Sequence, residues 1–266
     1  MLVWPTKKAL ILKSKTPEKI LNVVPSAKSF SVKGQPLVAV PHRTEETTLL
    51  RNLGYDAPAP IRSYYEWPGR FKPFHAQREA AAFLSMNKRA FNLSELGTGK
   101  SLASLWAYDY LRGIGQLNKA LVISPLSTLE RTWADEIFQH FPHLTYTVLH
   151  GAKDKRIKLL KEDFDVYIIN HDGVGIIEPH LKDRTDIDLV IVDEIAQCAR
   201  NASTTRWRKI NTVVNKHKAP RACWGMSGTP TPNAPTDAWA QCRLVVPDAV
   251  PPYFNRFKGQ VMKQLS

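Results

Sequence analysis

Short apolar runs alternate with helical patterns along most of the chain beyond residue 70. The runs occupy residues 90–93, 119–123, 146–150, 166–169, 189–192 and 222–226. Buried strands of this length, separated by helices, are typical of a parallel sheet that is covered on both faces. We therefore predict an α/β fold with a mostly parallel sheet flanked by helices, and we expect ligands at the carboxyl ends of its strands.

Four helical patterns accompany these strands. They occupy residues 71–84, residues 102–108, residues 129–141 and the strongly basic stretch 153–161. The third pattern places Trp133 and Ile137 on one face. An apolar stripe at helical spacing indicates a helix that packs against a core.

The first 65 residues follow a different pattern. Residues 9–12 and 37–40 have the character of short strands, and residues 44–53 form a helical pattern with Thr44 at its N-cap. The Asp-Ala-Pro-Ala-Pro segment at residues 56–60 favours an extended linker. We predict a small α+β accessory module over residues 1–65 and a larger domain over residues 66–266.

A glycine-bearing turn between a predicted strand and a predicted helix carries the strongest chemical signal. Residues 94–101 read Ser-Glu-Leu-Gly-Thr-Gly-Lys-Ser. In a phosphate-binding loop, glycines let backbone N–H groups point at phosphate oxygens, and the following helix N-terminus adds positive potential. Lys100 would reach the β- and γ-phosphates, and the Ser101 hydroxyl would ligate Mg²⁺. Ser94 stands where the usual pattern begins with glycine, and an ordinary surface turn is the alternative.

An acidic pair gives the second signal. Asp193 and Glu194 directly follow the apolar run 189–192. A carboxylate at a strand end beside a phosphate loop can hold Mg²⁺, and its neighbour can orient and deprotonate an attacking water. Such a pair also occurs as a simple cap of the next segment, so it is diagnostic only together with Lys100 and Ser101. Together the two segments predict binding of ATP or GTP with Mg²⁺.

Two weaker signals accompany them. Ser227 and Thr229 follow the run 222–226, and their hydroxyls would contact Asp193 from a neighbouring strand, although a plain turn explains this segment equally well. Gln77 lies upstream of the phosphate loop on a predicted helix. Its amide offers a donor and an acceptor and can read the adenine edge, but a surface glutamine on a helix is commonplace.

Charge adds a partner class to this picture. The chain of 266 residues carries a formal net charge of +13, of which residues 1–90 contribute +9 and residues 91–266 contribute +4. A basic surface favours a polyanionic partner, nucleic acid first, and a solvated basic face is the alternative. The same alternatives apply to five lysines near the N-terminus: Lys7, Lys8, Lys13, Lys15 and Lys19.

The three cysteines, Cys198, Cys223 and Cys242, are odd in number and lack metal-type spacing, so we expect buried free thiols in a reducing compartment. No apolar run reaches the ~18 residues of a membrane span. The apolar stretch 9–12 is too short for a signal peptide. We therefore predict a cytoplasmic location, in the host cell if the chain is viral.

In this order, the segments resemble the first RecA-like lobe of a Swi/Snf-type DNA-dependent ATPase, within the helicase superfamily, and tailed-phage members most of all. The resemblance covers roughly residues 70–258. Besides the phosphate loop and the acidic box, it depends on four segments: Pro-Leu-Ser-Thr-Leu at 125–129 with Trp133 and Glu136 after it, His-Gly at 150–151, Gly-Met-Ser-Gly-Thr-Pro at 225–230 with Trp239 after it, and Phe-Asn-Arg-Phe at 254–257.

The resemblance implies ATP and Mg²⁺ as cofactors and DNA as a partner. Gln77 would read adenine, Asp193 would hold Mg²⁺, and Glu194 would activate water. Ser227 and Thr229 would couple hydrolysis to movement. The triphosphate would be cradled by Gly97, Thr98, Gly99, Lys100 and Ser101. The DNA backbone would be contacted, largely independently of base sequence, by Ser127, Thr128, Asn170 and His171.

Two departures from the family pattern concern coupling and completeness. Ala196 stands where many relatives have histidine, which affects one coupling contact and not metal binding. Such motors also use a second RecA-like lobe, whose arginine finger is worth about 10³–10⁵ in rate. The chain ends at Ser266, soon after the first lobe. We therefore expect a fragment or truncated copy that binds ATP weakly and hydrolyses it very slowly alone, with a second lobe on another chain as a candidate partner.

The sequence thus favours the ATP-binding lobe of an ATP-dependent DNA translocase or helicase. One alternative is another P-loop ATPase such as a packaging motor, against which the Pro-Leu-Ser-Thr-Leu and Gly-Thr-Pro segments argue. The other alternative is a non-enzymatic DNA-binding remnant.

Overall fold

The computed structural model describes residues 1–262. Its chain contacts divide it into two compact units, Met1–Glu66 and Trp67–Ser266. In the described residues, no helix is long and apolar enough to cross a membrane.

The N-terminal unit is built on a four-stranded antiparallel sheet in the spatial order β1-β2-β4-β3. Its strands are β1 Leu2–Trp4, β2 Ala9–Lys13, β3 Lys28–Val32 and β4 Gln35–Pro41. Its helices are α1 Pro17–Val23, α2 Thr44–Asn52 and α3 Ile61–Tyr64. Alternate residues of β2 and β4 point into its core, because side chains along a strand face opposite sides of a sheet.

The two strands and the helix predicted for this unit are confirmed. Thr44 is the first residue of α2 and Arg43 occupies the capping position, so the N-cap prediction for Thr44 was wrong by one residue. The predicted linker 56–60 was also wrong in part, because Ala57 packs into the core of this unit. Of the N-terminal lysines considered above, Lys7 and Lys8 line a groove of about 350 Å³, to which Lys28 and Arg43 also contribute.

The C-terminal unit contains a six-stranded parallel sheet in the order β5-β10-β9-β6-β8-β7. All six predicted strands are confirmed, as is their parallel arrangement. They are β5 Arg89–Asn92, β6 Lys119–Ser124, β7 Tyr146–Val148, β8 Val166–Asn170, β9 Ile187–Val192 and β10 Ala222–Met226.

Helices flank this sheet. They are α4 His75–Met86, α5 Lys100–Gly113, α6 Asp135–His140, α7 Lys153–Lys161, α8 Val174–Ile177, α9 Ile195–Cys198, α10 Thr205–Asn215, α11 Ala238–Val245 and α12 Phe254–Val261. The predicted helix 129–141 is a π-helical turn, Leu129–Ala134, that continues into α6. Trp133 and Ile137 are both fully buried, as their shared face predicts. Local π-helical geometry often marks a functional site.

The central strands are buried on both faces, which explains their nearly continuous apolar runs. The register aligns Val192 of β9 with Ile123 of β6 on one side and with Gly225 of β10 on the other. The residues that come next along β6, β9 and β10 are Ser124, Asp193 and Met226. They therefore lie side by side at the carboxyl edge of the sheet. This edge holds the candidate site.

A buried arginine holds the opposite end of the sheet together. Arg221 precedes β10, is 2% exposed, and donates hydrogen bonds to backbone carbonyls. The acceptors are the carbonyls of Ile187, Val213, Leu181 and Arg184, at 2.7, 2.8, 3.3 and 3.0 Å. Burial lowers the pKa of Arg221 to about 10, so it remains charged at neutral pH.

All three cysteines are free thiols, as predicted. Cys198 and Cys223 are buried, and Cys242 is partly buried. Burial raises the pKa of both Cys198 and Cys223 to about 12, and it also raises the pKa of Cys242.

Candidate nucleotide and magnesium site

The predicted phosphate loop connects the end of β5 to the start of α5. Gly97 and Gly99 adopt left-handed backbone conformations, with φ of +77° and +72°, which other residues adopt only with strain. Ser94 has no positive φ, so a side chain is tolerated where the usual pattern has glycine. Asn92 Oδ1 accepts hydrogen bonds from the Ser94 N–H at 3.3 Å and from its hydroxyl at 2.7 Å. Ser94, the residue that departs from the usual pattern, therefore anchors the start of the loop to the end of β5.

The Lys100 ammonium lies against the loop itself. Its Nζ donates to the carbonyls of Ser94 and Glu95, both at 3.0 Å, and the Thr98 hydroxyl donates to Glu95 O at 2.7 Å. The lysine is partly exposed and is not packed into an apolar interior. It is therefore available to phosphate oxygens that enter the loop.

Gln77 contacts the same loop from α4. Its Oε1 accepts a hydrogen bond from the Phe74 N–H at 2.9 Å. Its Nε2 lies so close to Gly99 that a Cβ atom at this position would collide with it. The side chain is 8% exposed. Gln77 thus adjoins the phosphate loop, and adenine recognition by it stays a prediction.

Asp193 is held by two side chains from other elements. Its Oδ2 accepts hydrogen bonds from the Ser124 hydroxyl at 2.8 Å and from Trp133 Nε1 at 3.0 Å. Its Oδ1 accepts the N–H of Glu194 at 3.0 Å. The carboxylate is 9% exposed, so these bonds fix its orientation at the sheet edge.

His171 contacts the backbone of this aspartate. The imidazole is buried, and its Nε2–H donates to the Asp193 carbonyl at 2.8 Å. Burial lowers the pKa of His171, which favours the neutral imidazole. This N–H supports the acidic strand end, and a contact of His171 with a DNA backbone stays a prediction.

Glu194 lies within electrostatic reach of the phosphate loop. Burial raises its pKa, the charge of Asp193 raises it further, and the charge of Lys100 opposes the rise. Glu194 also adopts φ of +46°, a strained conformation for a residue other than glycine. The phosphate loop follows β5 and the acidic pair follows β9, so both lie at the carboxyl edge of the same parallel sheet.

A third carboxyl group, after those of Asp193 and Glu194, enters the site from α6. The Ser101 hydroxyl donates to Glu136 Oε1 at 3.4 Å, and Glu136 Oε2 is buried without a hydrogen-bond partner among the described residues. Burial raises the pKa of Glu136 to about 7, the Ser101 hydrogen bond opposes this, and the charge of Asp193 adds to it. Sequence reasoning used Glu136 only as part of a family segment. Its spacing of three residues from Trp133 was the signal that these side chains share a face.

The predicted contact of Ser227 and Thr229 with Asp193 was wrong. The Ser227 hydroxyl is fully buried and accepts the N–H of Thr229 at 3.1 Å. The hydroxyl on Asp193 is that of Ser124, because the register places Met226, and not Ser227, beside this aspartate. The 227–229 segment instead adjoins the tip of the phosphate loop, where a Cβ at Gly228 would lie 3.0 Å from Leu96 Cγ.

The remaining predicted DNA contacts lie at the carboxyl ends of β6 and β8. Ser127 is exposed and Thr128 is partly exposed in the turn after β6. The Thr128 hydroxyl lies 2.6 Å from that of Ser124. Asn170 ends β8, and its Oδ1 accepts from Arg156 at 3.0 Å.

The oxygen atoms in the site fit a magnesium ion bound together with a nucleotide. Ser101 and Asp193 provide a hydroxyl and a carboxylate, and the buried Oε2 of Glu136 is a polar atom that still requires a partner. Over residues 1–262, no group of three or more His, Cys, Asp or Glu side chains could hold a metal unaided. Mg²⁺ usually takes one or two protein oxygens plus phosphates and water.

Comparison with known proteins is consistent with this site. A family model described as SNF2-related domain matches residues 76–263. The ISWI chromatin-remodeling complex ATPase ISW2 of Saccharomyces cerevisiae is 30% identical over 160 residues, which are 58% of this chain and 14% of that protein. Protein p41 of Acyrthosiphon pisum secondary endosymbiont phage 1 is 28% identical over 165 residues, which are 59% of this chain and 35% of that protein.

The fold has solved counterparts as well. The Sulfolobus solfataricus SWI2/SNF2 ATPase core in complex with dsDNA superposes with a TM-score of 0.61 at 22% identity. The match covers 73% of this chain and 39% of that chain. This likeness confirms the RecA-like fold, and the family match confirms the resemblance to Swi/Snf-type ATPases, a phage relative included. The chain spans less than half the length of these relatives, and it belongs to the family of SNF2-related domains.

Proposed function

We propose that this chain is the ATP-binding lobe of an ATP-dependent DNA translocase or helicase, which couples ATP hydrolysis to movement on DNA. The observation that carries the proposal is the pairing of the phosphate loop with the acidic strand end. The charge of Lys100 lowers the pKa of Glu194. The Ser101 hydroxyl donates to Glu136, and the charge of Asp193 raises the pKa of Glu136. An ordinary surface turn, the alternative for residues 94–101, gives no reason for this arrangement.

Each side chain then has a role that follows from its position. Lys100 neutralises charge on the β- and γ-phosphates, and Gly97, Thr98 and Gly99 present backbone N–H groups to them. Magnesium, when bound by Ser101 and Asp193, supplies neutralisation of phosphate charge. The raised pKa of Glu194 brings this carboxylate closer to the proton affinity that a general base needs, and it is placed to orient the attacking water.

DNA is the proposed partner of the turns after β6 and β8. Ser127, Thr128 and Asn170 offer hydroxyl and amide groups of the kind that bind phosphates without reading bases. The net charge of +13 favours such a polyanion. The Sulfolobus counterpart is an ATPase core in complex with dsDNA, which supports the same partner here.

Full activity is proposed to need a second RecA-like lobe. The chain covers 39% of the Sulfolobus ATPase core chain, and such motors draw an arginine finger from a second lobe. We therefore expect weak ATP binding and very slow hydrolysis by this chain alone. Robust DNA-stimulated turnover by the isolated chain would refute this part of the proposal.

Nucleotide binding tests the central claim. Titration of the protein with a fluorescent ATP analogue and Mg²⁺ should give saturable binding that Lys100→Ala abolishes. Lys72→Ala, at an exposed lysine of the same unit, is the matched control and should bind normally. Equal binding by both variants, or none by the wild type, would reject an ATP site in the loop.

DNA affinity separates the motor from a DNA-binding remnant. A motor lobe should bind duplex DNA with an affinity that changes when Mg²⁺ and ATP analogue are added, and Lys100→Ala should remove this change. A remnant would bind DNA with or without Lys100 and would show no nucleotide-dependent change. Fluorescence anisotropy with a labelled duplex measures both outcomes.

A further inference from the structure

One short segment contacts both predicted magnesium ligands. The π-helical turn Leu129–Ala134 and the first turn of α6 carry Trp133 and Glu136, three residues apart. Trp133 donates to Asp193 of β9, and Glu136 accepts from Ser101 of α5. Residues three apart lie on the same side of a helix, so Trp133 and Glu136 line the site together with the phosphate loop and the acidic pair.

The carboxyl group of Glu136 has unused hydrogen-bonding capacity. A carboxylate can accept about four hydrogen bonds, and the described residues provide Glu136 with one, at 3.4 Å from Ser101. Its second oxygen is buried and unpartnered. Burying such a group without partners is costly, so its retention beside a phosphate loop indicates donors or positive charge that arrive with a ligand.

A cation held by Ser101 and Asp193 would supply both. Oxygen ligands of a metal usually have further hydrogen-bond partners that orient them, and removing such partners typically costs 10–100-fold in metal affinity. Magnesium also keeps several of its water molecules in protein sites, and these water molecules need acceptors. Glu136 Oε1 already accepts from the Ser101 hydroxyl, and Oε2 of the same carboxyl group is an unsatisfied acceptor.

We propose that Glu136 is a positioning residue of the magnesium–nucleotide site, which orients the Ser101 hydroxyl and accepts hydrogen bonds from water on the bound cation. This inference depends on the proposed ATP site. It assigns a role to a carboxyl group outside the phosphate loop and the acidic pair.

The competing interpretation is that Glu136 is only a structural partner of Ser101. Glutamine has nearly the same shape as glutamate and can still accept the Ser101 hydrogen bond through its Oε1. It lacks the negative charge and the second acceptor oxygen. Glu136→Gln therefore preserves the structural role and removes the proposed one.

The experiment is a Mg²⁺ titration of nucleotide binding. Wild type and Glu136→Gln are mixed with a fluorescent ATP analogue, and the Mg²⁺ concentration at half-maximal binding is measured. We expect this midpoint to rise by about 10-fold or more in the variant. Binding of the nucleotide in EDTA should be the same in both proteins. Electron paramagnetic resonance of Mn²⁺ in place of Mg²⁺ should show the same weakening as a larger free-ion signal.

Asp135→Asn is the matched control, because Asp135 is the exposed acidic neighbour on the same helix. It removes the same charge and should leave the midpoint unchanged. If Glu136→Gln does not fold in a thermal unfolding assay, Glu136→Asp carries the test. Aspartate keeps the charge but withdraws it by one methylene group, so an intermediate midpoint is expected.

The outcomes separate this inference from the proposed function. Absence of Mg²⁺-dependent nucleotide binding in the wild type would reject the ATP site itself. A wild type that binds normally and a Glu136→Gln variant with the same Mg²⁺ midpoint would reject the role of Glu136 alone. A midpoint that rises equally in Asp135→Asn would reduce the effect to general electrostatics and would also overturn the inference.

Discussion

The hydroxyl groups of Ser124 and Thr128 lie 2.6 Å apart at the end of β6. Ser124 gives its only hydroxyl proton to Asp193 Oδ2, so the Thr128 proton has two acceptors, Ser124 Oγ and Pro125 O at 3.0 Å. Thr128 is also a predicted DNA contact. A DNA phosphate that accepts the Thr128 proton would leave Oγ1 as an acceptor for Ser124, and Asp193 would lose one of its donors. If Thr128 contacts DNA as proposed, DNA binding and the orientation of Asp193 would be linked through these two hydrogen bonds.

Thr128→Val should therefore uncouple DNA from nucleotide. Valine has nearly the same shape as threonine but no hydroxyl group. We expect the affinity for the Mg²⁺–ATP analogue without DNA to stay close to that of the wild type, and the change in this affinity on adding duplex DNA to disappear. Coupling of this kind is typically worth about 1–3 kcal/mol. Nucleotide titrations with and without a short duplex measure it.

Ser127→Ala is the control for this variant, because its hydroxyl is exposed on the same turn. It should weaken DNA binding and keep the coupling. Loss of coupling in Ser127→Ala with its retention in Thr128→Val would contradict the link through Ser124.

Gly99→Ala should abolish nucleotide binding, whereas Gly97→Ala should only weaken it. Both glycines have left-handed backbone conformations, which cost roughly 1–2 kcal/mol for alanine. At Gly99 the added Cβ would also collide with Gln77 Nε2, whereas nothing lies within 4 Å of a Cβ at Gly97. The pair of variants separates backbone strain from the collision. Thermal unfolding and analogue binding should be measured for both, and identical behaviour would show that the end of the Gln77 side chain moves aside without cost.

Arg221→Met should destabilise the protein by about 2–4 kcal/mol, since each hydrogen bond lost to a buried acceptor is worth roughly 1 kcal/mol. Four backbone carbonyls lose the hydrogen bond from Arg221 in this variant, although Leu181 O keeps the one from His217 Nε2. Urea unfolding gives the free energy. Arg208→Met, at an exposed arginine on α10, should change it little, and an equal loss in both variants would count against the buried network.

Cys198 and Cys223 should not react with a thiol reagent such as DTNB at pH 8 while the protein is folded. Burial raises the pKa of both thiols to about 12, so at pH 8 they carry their protons and the reactive thiolate is scarce. Unfolding returns them to the ordinary value of about 8.5, and reactivity then rises. Fast reaction of Cys223 in the native protein, mapped by mass spectrometry, would contradict its full burial.

The parts of the molecule that could be predicted are those in which the local pattern of apolar residues directly reflects burial. The runs that became β6 and β9 are apolar throughout because both faces of a central parallel strand are covered. Strand β3 escaped prediction because all five of its residues are exposed, so no buried face marks the pattern. Helix starts are also ambiguous by a residue or two, as the one-residue error at Thr44 illustrates.

The phosphate loop and the acidic pair could be found because their chemistry is carried by neighbours in sequence. The groups around Asp193 could not, because Ser124 and Trp133 are 69 and 60 residues away along the chain. Their contacts depend on the register between β6 and β9, which no local pattern encodes. The same register explains why Ser227 was assigned to Asp193 in error: a shift of one residue along β10 turns a side chain to the other face.

The close approach of Gly228 to Leu96 has a mechanical consequence. The tip of the phosphate loop and the turn after β10 lie so close that a Cβ at Gly228 would be 3.0 Å from Leu96 Cγ and 3.4 Å from the Leu96 backbone nitrogen. If an entering triphosphate reshapes the loop, the displacement would be passed to this turn by direct packing. A signal of nucleotide occupancy would then leave the site without a hydrogen bond from Ser227 or Thr229 to Asp193.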